Sequence, residues 1–141
     1  MCAALVLAAQ SLLDWADAHP SAFPPVLIHL SDGEPTDGDP EPLSHDIRQI
    51  STDDGQVTFM NIHISGVSSR EIAFPDSDQT LPDQYARLLF RMSTILPPAM
   101  TSRAREHGFE VHDESRAFMF NAKAEKIVQF FDIGTRPSNL R

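Results

Sequence analysis

The stretch Pro25 to Asp39, PVLIHLSDGEPTDGD, carries an apolar run straight into a loop crowded with carboxylates and glycines. Asp32 follows the apolar residues directly. A strand at Val26 to Leu30 therefore holds its carboxylate at the end of a sheet, already ordered and aimed at solvent. Hard divalent cations such as Mg²⁺ take oxygen ligands of this kind, with hydroxyls and waters completing an octahedron. Ser31, Asp32 and Thr36 supply the right atoms but cannot complete a shell by themselves. The spacing is not that of an EF-hand, because the sixth position counted from Asp32 is Asp37 rather than glycine. Taken on their own, the same letters also describe a plain turn, since aspartate and glycine are good turn residues.

Other chemistry is thinner. His29 and His63 fall on neighbouring expected strands and could join Asp32 in a His/His/Asp metal cluster, but in helix-covered layers such histidines are more often hydrogen-bonded core residues. Glu34 and Asp37 could serve as acid and base, yet nothing apolar surrounds them to separate their pKa values. No Gly-x-Ser-x-Gly elbow occurs, and Cys2 has no orienting histidine nearby. The GEPTDGD loop also lacks the lysine of a phosphate loop. The chain is expected not to be an enzyme, with no catalytic residue assigned.

The elements that must position Asp32 follow from periodicity. Leu5, Ala8 or Ala9, Leu12 and Trp15 or Ala16 recur at helical spacing from Ala4 to Ala18, and His19-Pro20 ends that helix. Val26 to Leu30 is continuously apolar, which predicts a strand covered on both faces. A helix follows over Pro42 to Ser51, a turn at Asp53-Asp54-Gly55, and a strand over Val57 to Ser65. Gly66 to Pro82 reads as a long loop lying over a sheet edge. Asp83 to Leu96 is helical with Tyr85, Leu88, Leu89, Met92 and Ile95 on one stripe and Phe90 on another side. Met100 to His107 forms a short helical turn, Arg116 to Asn121 a third strand, and Ala124 to Ile133 a last helix closed by Gly134. Alternating strands and helices predict an α/β fold with ligands at the carboxyl ends of the strands.

The bulk numbers narrow the class. A chain of 141 residues, 41% apolar, makes one domain over 1–134 with a flexible tail at 135–141. Its net charge of −9 and the lack of any basic run exclude a nucleic-acid footprint and suit cations or basic partners. The single cysteine excludes an internal disulfide and a cysteine zinc site, and fits a reducing, cytoplasmic setting. The apolar opening has no basic residue ahead of it and is interrupted by Gln10, Asp14 and Asp17, so neither a signal peptide nor a membrane anchor is expected.

The strand and loop VLIHLSDGEPTDGD, the amphipathic helix after it and the strand VTFMNIHISG resemble the second half of a von Willebrand factor type A (vWA) domain, of the bacterial intracellular kind related to TerY proteins. The resemblance covers Leu5 to Gly134 in layout, and its specific wording lies within Val26 to Asp39. It implies a three-layer Rossmann-like sheet with flanking helices. It also places Asp32 in a metal-ion-dependent adhesion site (MIDAS), with Mg²⁺ or another divalent cation as cofactor. The chain departs from the family in having no Asp-x-Ser-x-Ser segment ahead of the SDG loop. It therefore reads as the carboxyl-terminal portion of such a domain, lacking the N-terminal strands and holding a cation weakly or not at all.

These observations lead to a protein-interaction module of vWA type, with a partial metal site at Asp32. Without its central neighbour, the strand at Val26 to Leu30 would present an open apolar edge, an invitation to a protein partner or to self-association. The alternatives are a small metal-dependent hydrolase using Asp32 with His29 or His63, and an inert fragment of a longer protein.

Overall fold

The computed structural model describes residues 1–32, 34–66 and 70–136. Helix α1 (Cys2–Ala18) forms because Leu5, Ala9, Leu12 and Ala16 share one face, and that face enters the core. Strand β1 (Val26–Ser31) leads through the acidic loop to α2 (Glu41–Gln49), whose Pro42 sits harmlessly in the first turn. A small antiparallel hairpin, β2 (Ser51–Thr52) and β3 (Gly55–Gln56), turns at Asp53-Asp54 and delivers β4 (Thr58–His63). Strand β5 (Ile72–Ala73), α3 (Gln84–Met92), α4 (Pro98–Glu106), β6 (Phe118–Phe120) and α5 (Ala124–Thr135) complete the chain.

The main sheet has the order β1-β4-β6-β5, with β1, β4 and β6 parallel and β5 antiparallel. Alternation along β4 and β6 sends Phe59, Phe118 and Phe120 to one face with residues of α1, α2 and α3. Met60, Ile62 and Met119 go to the other face with residues of α4 and α5. The architecture is thus mixed α/β, a mostly parallel sheet between two helical layers, compatible with a Rossmann-like fold. Arg103 ties the second layer together by donating to the carbonyls of Ile133 (3.0 Å) and Arg136 (2.7 Å). His107 adds a 2.8 Å contact to Asp132, so it is a packed residue rather than the surface histidine its turn position suggests. Among the described residues no helix is long and apolar enough to cross a membrane.

Several expectations are corrected. The strand covered on all sides is β4, every residue of which is buried, whereas β1 is a half-buried edge strand. The segment Gly66 to Pro82 is not all loop, because Ile72–Ala73 pairs with β6 and closes that side of the sheet. Gly134 lies inside α5 rather than ending it: a Cβ there would come within 2.5 Å of the Met60 sulfur, so glycine lets the helix settle onto the sheet. Phe90 is buried with Leu89 and Met92, and it is Ile95 that turns outward. Thr135 belongs to α5, and the rest of the expected tail, from Pro137 on, lies outside the described residues.

Candidate functional site

Three parallel strands end at one rim of the sheet, bringing Ser31 and Asp32 after β1 beside His63 and Ser65 of the β4 end and Asn121 after β6. Asp32 is exposed and makes no hydrogen bond or ion pair among the described residues. Thr36 is exposed further along the loop, and Gly33 of the SDG wording lies outside the described residues. Ser31 is half-buried, and its carbonyl accepts from the Ile64 amide at 2.9 Å and from His63 Nδ1 at 3.3 Å.

Asp37, five residues on, has a different task. Its carboxylate accepts from the Met1 ammonium, the Cys2 amide and the Ala3 amide, each at 2.9 Å, and so caps the first turn of α1. The Ala3 amide, the terminal ammonium and the Cys2 amide together hold this carboxyl well below the usual carboxylate range. Burial, with Asp37 beside it, pushes the Cys2 thiol up, away from nucleophilic use. Glu34, the other half of the conceivable acid–base pair, instead engages the Tyr85 hydroxyl, which raises that phenol's pKa. The two carboxylates are thus committed to separate partners.

A group whose carboxyl is more acidic when folded adds stability above its unfolded pKa of about 3.9 and loses it on acidification. The gap in melting temperature between the wild type and Asp37→Ala should therefore be constant between about pH 5 and pH 7 and close as the pH falls below about 3. Circular dichroism melts across that range check it; a gap that stayed open in acid would mean the carboxylate is not the cap.

Both strand histidines are built into the sheet. His29 Nδ1 donates to Asn61 Oδ1 at 2.9 Å, Asn61 Nδ2 donates to Ser93 Oγ at 2.9 Å, and Ser93 Oγ donates to the Leu89 carbonyl at 2.7 Å. The direction of each bond is set by the last acceptor, a carbonyl, which can only accept. Burial lowers the pKa of His29 even though its bond to Asn61 works in the opposite sense. His29 therefore enters the fold as a neutral, satisfied ring.

His63 is buried and donates from Nδ1 to a carbonyl, so its Nε2 is left as an acceptor when the ring is neutral. That nitrogen faces Asp83 Oδ2 at 4.0 Å, a buried oxygen without a hydrogen bond of its own. The other Asp83 oxygen caps α3 by accepting from the Ala86 amide at 2.7 Å. The cap is legible as an aspartate opening a helical pattern, whereas its meeting with His63 has no signal in the sequence.

Asn121 fastens the third corner of the rim. With φ of 48° it turns the chain out of β6, and its amide takes the Ser65 N–H at 2.7 Å and gives to the Ser65 carbonyl at 2.9 Å.

A hard divalent ion takes about six oxygens and keeps several of them as water, and the described residues put the Asp32 carboxylate and Ser31 at this rim. Among the described residues no three of His, Cys, Asp and Glu converge on a point. Asp32 and His63 are brought to the same rim, while His29 sits two residues deeper on β1 and bonds into the core. Comparison with protein-family models, with curated proteins and with solved structures returns no match to this chain.

Proposed function

We propose that this chain is a protein-interaction module of the vWA type, working in the cytoplasm, that engages its partner at the carboxyl rim of the sheet through Asp32. The observation that carries it is an exposed carboxylate without a partner among the described residues, presented by the end of a parallel strand. A fixed anion of this kind suits a guanidinium or ammonium group, and Arg can meet a carboxylate through two parallel hydrogen bonds. The exposed Glu34 and Asp39 and the net charge of −9 favour the approach of a basic partner. Among the described residues no three of His, Cys, Asp and Glu gather around Asp32, and the contact is read as a direct ion pair unless another polypeptide contributes oxygens to a cation.

The hydrolase reading has less support, because the Nδ1 atoms of both candidate histidines are engaged within the sheet. Quantitative capture from a lysate of the source cell, comparing the wild type with Asp32→Ala and with Asp14→Ala on the outer face of α1, tests the proposal. Losing a charge-assisted bond of about 1.5–3 kcal/mol should weaken capture at least tenfold for Asp32→Ala alone. Equal capture by all three proteins would remove Asp32 from the interface.

A further inference from the structure

The open side of β1 has a definite hydrogen-bonding pattern. Residues at odd positions turn toward β4, since the Pro25 carbonyl accepts from the Thr58 amide at 3.2 Å and the Ser31 carbonyl from the Ile64 amide at 2.9 Å. Strand geometry then points the N–H and C=O groups of Val26, Ile28 and Leu30 out of the sheet. None of these groups has a partner among the described residues. They form an uncharged strip with Ile28 at its centre.

Apolar side chains border the strip. On one face Gly134 of α5 lies against both Met60 of β4 and Val26 of β1, so this part of the helix runs above the boundary between the two strands. Phe131, three residues back along the helix from Gly134, is 43% exposed, and Val128 beyond it is 68% exposed. At the start of the strand Trp15 of α1 lines a shallow groove shared with Phe23, Val26 and Gly134, and Leu30, on the same face of the strand as Val26, is 55% exposed.

We propose that two copies of this chain pair through β1, antiparallel about a two-fold axis at Ile28, to form one continuous sheet. The axis sets Ile28 against its own copy and Val26 against the partner's Leu30, so the outward N–H and C=O groups of all three residues find partners at once. Helix spacing fits as well. With strands about 4.8 Å apart and α5 above the β1–β4 boundary, α5 and its copy come to lie about 10 Å apart, a normal packing distance, with Phe131 between them.

The apolar surface bordering the strip is on the order of 500 Å² per copy, taking about 150–250 Å² for each fully exposed side chain. With the strand backbone added, this approaches the roughly 800 Å² that each partner gives a stable interface. A lone strand from another polypeptide would also satisfy β1, but it would expose a new edge of its own, whereas the two-fold axis closes both edges together. The strip carries no charge, so the net charge of −9 opposes the pairing only at longer range and is screened by salt. The dimer should accordingly tighten as ionic strength rises.

Sedimentation velocity and light scattering on the full chain between about 1 and 100 µM, where interfaces of this size commonly dissociate, test the proposal. The wild type is expected to reach twice the 15.7 kDa chain mass. Leu30→Lys puts a charge on the strip, and Ile28→Pro removes an outward N–H that β4 does not use. Both are expected to run as monomers with unchanged far-ultraviolet circular dichroism, as is Phe131→Glu on α5. Ile95→Lys, exposed away from β1 next to α3, should stay dimeric. A wild type that is monomeric throughout, or a dimer that survives all three edge substitutions, overturns the proposal. Asp32 takes no part in the pairing, so Asp32→Ala should leave the dimer intact, and the rim and edge proposals fail or stand separately.

Discussion

Phe130→Ala is expected to lower the folding free energy by about 3–5 kcal/mol, read as a drop in denaturant midpoint with an unchanged slope. Phe130 is fully buried on the α4/α5 face of the sheet and stacks on Phe74 with ring centroids 5.4 Å apart. Phe74 in turn meets Phe109 edge-on at 5.1 Å. Phe74 also has φ of 49°, a left-handed conformation that costs a non-glycine residue about 1–2 kcal/mol. Its ring packing and the bond from its own N–H to the Phe118 carbonyl, at 2.9 Å, hold it there. Removing Phe130 therefore leaves a cavity and loosens the contact that keeps Phe74 in place, which argues for the upper half of the range. Since domains of this size are stable by about 5–15 kcal/mol, such a loss removes between about a quarter and all of that margin. A loss below about 1.5 kcal/mol would mean that the site collapses around the gap and that the aromatic cluster is not what holds this face.

Asn61→Ala should cost about 2–4 kcal/mol, part from the cavity and part from the bonds left unmade. Asn61 is fully buried in the central strand and links His29 to Ser93. Without it the His29 Nδ1–H loses its acceptor and Ser93 Oγ its donor. The asymmetry of buried hydrogen bonds supplies a control, because replacing both ends of a polar pair by apolar groups costs far less than replacing one. The double variant His29→Leu with Asn61→Leu should therefore be more stable than the sum of the two single losses allows, by about 1–3 kcal/mol in a double-mutant cycle. Strictly additive losses would show that the His29–Asn61 bond contributes nothing of its own.

Much of the architecture could be read from the letters, for identifiable reasons. The row Leu5, Ala9, Leu12 and Ala16 has helical spacing, and α1 forms with that row inward. Val26 to Leu30 and the stretch from Val57 are rich in β-branched and apolar residues between turn residues, and both are strands. Apolar continuity by itself did not convey which of them lies at the edge; the open edge expected for Val26 to Leu30 rested on the missing Asp-x-Ser-x-Ser segment, and β1 does lie at an edge. Covering helices act on side chains, whereas edge position concerns backbone groups, and a continuous apolar run reports only the former. β4 carries Asn61 and His63 and looks the more polar strand, yet it is the buried one because those groups are satisfied internally. Strand β5 has only Ile72 and Ala73, too short to show a period. At the site, the position of Asp32 at the rim followed from the strand before it. The task of Asp37 did not, since its three donors lie at the far end of α1 and leave no local mark.

The corner fastened by Asn121 bears on how the chain reaches its native state. The residues it joins are 56 positions apart in the sequence, and the His29–Asn61 pair is 32 apart. Bridging such separations requires closing long loops before any contact rewards the loss of chain entropy. Refolding should accordingly be slow for a chain of this length, with β1 and β4 able to find each other well before β6 arrives to complete the sheet. During that interval the side of β4 that later holds Phe118 stays open, and dilute, cool refolding should give the highest recovery of native protein.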